Sequence, residues 1–109
     1  MKNYLLTILV CFIASTSFAN ELSKPQLDAF GILWTAMSEK AKVDYPNHAA
    51  GEAGSTTTRC VVENATRIEL NNIIASGPTG PILSPSLTDL VDSIVARPAT
   101  QDCIAAELK

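Results

Sequence analysis

The sequence predicts a small all-α protein, a four- to five-helix bundle stapled by one disulfide. Apolar residues recur at three- and four-residue steps in several segments, and Ser or Thr caps precede most of these segments. The N-terminal residues have the pattern of a removable leader, after which Cys60 and Cys103 remain as a pair. The sequence offers no convincing partner for a lone strand, whose backbone groups would stay unpaired.

The N-terminus has the three parts of a secretory signal peptide. Lys2 gives a short positive region, residues 5–14 are almost entirely apolar, and Ser17-Phe18-Ala19 places small residues at positions −3 and −1. We therefore predict cleavage after Ala19, leaving residues 20–109 as a single small helical domain.

Two other interpretations of this segment fit less well. A transmembrane anchor needs about 20 apolar residues, more than this run contains. A lipoprotein would be acylated at Cys11, but the preceding Val10 is not small and the cut would divide the apolar region.

Charge and cysteine content limit the partners and the cellular location that we expect. Residues 20–109 hold seven Lys and Arg against eleven Asp and Glu, a formal net charge of −4 with no basic block. This argues against nucleic acid or an anionic membrane as partner. An exported chain with two cysteines predicts a Cys60–Cys103 disulfide and a periplasmic or secreted location. Closing that long loop contributes about 4 kcal/mol in the chain-entropy model.

The first helix is predicted over Lys24–Val43. Ser23 and Gln26 form a capping-box pattern, and Asp44-Tyr45-Pro46 ends the helix. Its expected apolar stripe, widened by Leu33, comprises Leu27, Phe30, Trp34, Met37 and Ala41.

The middle of the chain is harder to assign. Residues 44–55 are small and polar and predict a surface loop. Residues 56–62 suit either a strand, being β-branched, or a helix, which the missing partner strand favours. We predict a helix over residues 56–76 that kinks or restarts near residues 64–66 and ends at Gly77-Pro78.

Residues 77–85 carry three prolines and predict a turn. Ser84 then caps a helix that begins at Pro85 and ends at Arg97-Pro98. Its apolar positions are regularly spaced: Leu87, Leu90, Val91, Ile94 and Val95. Thr100 is predicted to cap a last helix that carries Cys103.

No group of residues indicates a catalytic, cofactor or metal site. His48 lacks enough neighbouring ligands to define a metal site, and forty-two intervening residues make the Cys60–Cys103 pair structural rather than redox-active. Asn64-Ala65-Thr66 matches a glycosylation acceptor, but capping by Thr66 explains it better. Helix termini and solvated faces explain the acidic residues without an acid–base pair, namely Glu63, Glu69, Asp89, Asp92 and Asp102.

The sequence therefore favours a non-enzymatic binding module of immunity, inhibitor or accessory type, whose partner is another protein in the periplasm or outside the cell. Trp34 is expected in the core, although a groove around it could also hold a partner. Ile82 and Leu83, flanked by prolines, form the preferred contact, and the alternative is that they pack back over the core. The alternatives are a carrier with an apolar cavity lined by Trp34, Met37 and Ile94, or a periplasmic chaperone.

Overall fold

Five helices make up the fold of the described residues, 22–77 and 80–108, in a computed structural model. No strand occurs in these ranges, so the predicted all-α bundle is confirmed. The predicted signal peptide, Cys11, Pro78 and Thr79 lie outside the described residues. The helices are α1 (Lys24–Asp44), α2 (Ala50–Asn64), α3 (Arg67–Ser76), α4 (Pro85–Val95) and α5 (Pro98–Leu108).

Side-chain caps begin three of the helices where the sequence predicts them. The hydroxyls of Ser23 and Thr66 each accept a hydrogen bond from the backbone N–H three residues later, and the side chains of Gln26 and Glu69 complete two capping boxes. Ser84 accepts from the N–H of Leu87 at the start of α4. The predicted restart between the second and third helices is thereby confirmed, because α2 ends at Asn64 and Thr66 caps α3.

α1 and α2 form an antiparallel hairpin with a very close crossing. Near the N-terminus of α1, Gln26 Nε2 donates to Val62 O at 3.3 Å. Towards its C-terminus, Gly54 lies against Ser38, so that a Cβ built on Gly54 would be 2.6 Å from Ser38 Cα. The glycine therefore permits a backbone approach that no other residue would allow.

α2 is the central helix, packing against α1, α4 and α5. Its three consecutive threonines are buried; Thr58 Oγ1 donates to Gly54 O at 2.6 Å, and Thr57 Oγ1 donates to Ala53 O at 2.9 Å. The loop predicted over residues 44–55 is wrong from Ala50 onward, where the helix begins. Burial outweighs the weak helix propensity of this small, polar segment.

The Cys60–Cys103 disulfide joins α2 to α5, with the two Cα atoms 5.7 Å apart. Beside it lies a small apolar cluster of α1, α2 and α5 residues that includes Ala41, Ala53 and Ile104. The larger cluster fills the rest of the bundle with apolar residues of all helices except α5: Ala29, Leu33, Met37, Val61, Val62, Leu70, Ile73, Leu87, Val91 and Ile94.

Two further local predictions need correction. The predicted apolar stripe of α1 is buried at Leu33, Met37 and Ala41. It is wrong at Leu27 and Trp34, which are 55% and 36% exposed, and Ala29 is fully buried instead. Ala29 fits there because α1 packs closely against α2 and α3. Thr100 is not a cap, since α5 begins at Pro98 and the threonine is completely buried in its first turn.

Candidate functional site

A groove of about 380 Å³ lies between α1 and α4, with the turn at residues 81–83 along one side. Its apolar lining includes Ala36 and Met37 from α1 and Val91 from α4. Met37 and Val91 belong to the main apolar cluster and are only 4% and 2% exposed, so the groove lies over the core rather than opening into it. The groove therefore offers a shaped apolar surface that a partner's side chain could enter.

Three charged residues line the groove. Glu39 forms an ion pair with Lys42 at 2.8 Å, and Lys40 forms one with Asp44 at 3.5 Å. Asp92 of α4 forms no ion pair with any described residue. The groove lining therefore carries one negative charge, that of Asp92, that no described cation pairs with.

The structure brings two of the three predicted contact residues together. Leu83 is half-buried against the main apolar cluster, while its neighbour Ile82 is 79% exposed, and both line the groove. The turn that carries them contains Gly80 at a φ of 71°, a backbone conformation that favours glycine. Leu83 thus fixes the turn on the bundle and leaves Ile82 in solvent.

Trp34 lies elsewhere on α1. Its ring stacks on that of Phe30, with centroids 6.0 Å apart and planes 13° apart. At 3.6 residues per turn, Trp34 is roughly 160° around the helix from Ala36. The groove lining does not include Trp34, so the three predicted residues do not form one continuous surface.

A small cavity with a volume of about 30 Å³ lies beside Tyr45, Thr57 and Ile104. Such a volume suits a water molecule rather than a larger ligand. The lining that the carrier hypothesis predicts is not assembled here, because Ile94 is fully buried in the main cluster and Trp34 is partly in solvent.

The other candidate residues have local structural contacts. The His48 ring lies edge-on to Tyr45 with ring centroids 6.5 Å apart. Among residues 22–77 and 80–108, no three His, Cys, Asp or Glu side chains are grouped so that they could hold a metal ion. Asn64 Nδ2 donates to Cys60 O at 2.8 Å, and Thr66 caps α3, so both polar residues of the glycosylation pattern are engaged.

Of the five acidic residues considered from the sequence, Glu69 is the one that forms an ion pair with a described residue, Arg97. The Arg97 guanidinium donates to both oxygens of Glu69 and, at 2.8 Å, to Asn64 O. The hydrogen bonds from Arg97 and from the backbone N–H of Thr66 lower the pKa of Glu69 from 4.5 to about 2. This ion pair ties the junction between α4 and α5 to the break between α2 and α3.

Comparison with protein-family models, curated proteins and solved structures finds no match to this chain. In the ranges that the structure describes, no helix combines the length and apolar character needed to cross a membrane.

Proposed function

We propose that this chain is a non-enzymatic, exported binding module of immunity, inhibitor or accessory type, and that it acts on another protein through the groove between α1 and α4. The leader pattern in residues 1–19 supports export, and so does the Cys60–Cys103 disulfide, since such bonds persist in oxidising compartments. The exposed Ile82 beside the groove is the observation that carries the proposed binding role.

The geometry of Ile82 is favourable for binding. A fully buried isoleucine side chain contributes about 1.5–3 kcal/mol relative to an exposed one, and most of the Ile82 surface is available for such burial. The contact of Leu83 with the core holds the turn in place before a partner arrives. Less conformational entropy is then lost on association.

A carrier of a small apolar ligand is the second candidate. The groove volume of about 380 Å³ lies within the range of small-molecule sites, roughly 300–1,000 Å³. Native mass spectrometry of protein taken from the host compartment distinguishes the candidates, since a retained small mass favours the carrier.

Site-specific photocrosslinking in the native compartment tests the binding role. Ile82 is replaced by p-benzoylphenylalanine, and Ile68, which is 73% exposed on α3 and outside the groove lining, is replaced in a matched control. We expect a discrete protein adduct at position 82 that is absent at position 68. Equal adducts at the two positions, or none at position 82, would contradict the proposed surface.

A further inference from the structure

The described residues carry a surplus of acidic side chains that form no ion pair with a described cation. Five ion pairs engage Lys24, Lys40, Lys42, Arg59 and Arg97. Among the cations of residues 22–77 and 80–108, this leaves Arg67 without an ion pair. The acidic residues of the same ranges that form none are Glu52, Glu63, Asp89, Asp92 and Asp102.

Two of these acids lie on α4 at the groove. Asp92 lines it directly, and Asp89 is exposed three residues earlier on the same side of the helix. The other charged lining residues, Glu39 and Lys40, are already in ion pairs with neighbours on α1. An incoming positive charge would therefore meet Asp92 without first displacing an ion-pair partner within the described chain.

We propose that the groove accepts a cationic amphipathic helix of a protein partner, an inference that rests on the proposed binding function and specifies the partner's chemistry. An apolar side chain of that helix covers Ile82 and the exposed part of Leu83, above the nearly buried Met37 and Val91. A lysine or arginine about one turn away pairs with Asp92. A helix laid into an apolar groove between two helices is an established mode of recognition, and complementary charge fixes its position.

Charge complementarity favours this occupant over other candidates. An anionic membrane surface would be repelled by the same acidic residues. An acidic protein segment would place like charges beside Asp92, which is unfavourable for association. A purely apolar ligand would leave the negative edge of the groove without a counterpart.

The test uses two synthetic helical peptides of about fourteen residues, roughly 21 Å long. One carries leucine on one face and lysine on the other, and the second has glutamate in place of every lysine. Each peptide is titrated into the isotopically labelled protein while backbone amide shifts are followed by NMR. We expect the lysine peptide to shift the amides of Ile82, Thr88 and Val91, with an affinity that falls as salt concentration rises.

Matched variants assign the charge contribution. Asp92→Asn should weaken the lysine peptide about two- to fivefold, the range expected for an exposed ion pair. Asp102→Asn, which removes an unpaired acid on α5 instead, should leave the affinity unchanged. Circular dichroism checks that both variants fold, and the salt dependence of the unmodified protein tests the charge effect without any substitution.

Several results would overturn the inference. Equal weakening by Asp92→Asn and Asp102→Asn would mean diffuse attraction to an acidic chain. Equal binding of the glutamate peptide, or no shift of groove amides by the lysine peptide, would exclude a cationic helix as the occupant. The crosslinking at position 82 reports on the binding function separately, so these failures leave that proposal to its own test.

Discussion

The close crossing of α1 and α2 predicts opposite outcomes for two glycine-to-alanine substitutions. Gly31 lies inside α1 and Gly54 inside α2, so helix propensity alone predicts that alanine stabilises either site by about 1 kcal/mol. A Cβ added at Gly31 would meet nothing within 4 Å. One added at Gly54 would lie 2.6 Å from Ser38 Cα and 2.9 Å from Ser38 Cβ.

The size of the difference follows from these distances. Ordinary van der Waals contacts of a Cβ begin at 3.4 Å, and Ser38 Cα is a backbone atom that cannot rotate away. Gly54→Ala therefore requires α1 and α2 to separate, which disturbs the most extensive helix–helix contact in the fold. Overpacking of this kind costs about 1–3 kcal/mol. Because the propensity gain is shared, this cost is the expected difference between the two variants.

Chemical and thermal unfolding of both variants, followed by circular dichroism, measures the difference. Gly31→Ala should raise the melting temperature, and Gly54→Ala should melt at least several degrees below Gly31→Ala, since 1 kcal/mol corresponds to about 4–8 °C in a domain of this size. If the two variants are equally stable, the close approach of Ser38 and Gly54 is not a feature of the folded protein.

Three further outcomes follow from other contacts. Replacing both Cys60 and Cys103 with alanine should destabilise the fold by about 2–5 kcal/mol, and reductant should then have no further effect on unfolding. Glu69→Gln should lower the melting temperature by a few degrees near pH 7. Because folding lowers the pKa of Glu69 from 4.5 to about 2, this difference in melting temperature should shrink as pH falls below 4.5 and vanish near pH 2. Melting curves measured over this pH range test it, and a difference that does not change with pH would contradict the role of the Arg97 ion pair. Thr100→Val should raise the free energy of unfolding by about 1 kcal/mol, because Thr100 Oγ1 is buried without a hydrogen-bond partner in the described chain. Denaturant titrations measure this change, and a loss of stability would point to an unrecognised partner.

The helix starts that could be predicted from the sequence are those at which a side chain caps the first turn. Ser23, Thr66 and Ser84 each cap the first turn through their own hydroxyl, so a few consecutive residues carry the signal. The start of α2 has no such signal, because its N-cap Ala49 contributes no side-chain hydrogen bond. That helix depends on packing against other helices, which residues near Ala49 do not reveal.

The buried face of α1 could be predicted only approximately for a similar reason. Spacing shows that a helix is amphipathic, but the elements packed around it decide where its apolar stripe is covered. The neighbours of α1 cover Ala29 and Leu33, whereas Trp34 stays at the edge and stacks on Phe30. The larger aromatic side chain was therefore a poorer guide to the core than the smaller residues beside it.

The groove itself has no signal in the sequence, because it exists where α1 and α4 fail to cover each other. Met37 and Val91 are more than fifty residues apart, and only the fold places both at its base. The sequence treats Ile82 and Leu83 alike, either as a partner contact or as a cover of the core, and only the fold distinguishes them. Leu83 is the one that contacts the bundle, and Ile82 consequently adds little to stability. This separation of roles allows substitutions at Ile82 to report on binding without unfolding the domain.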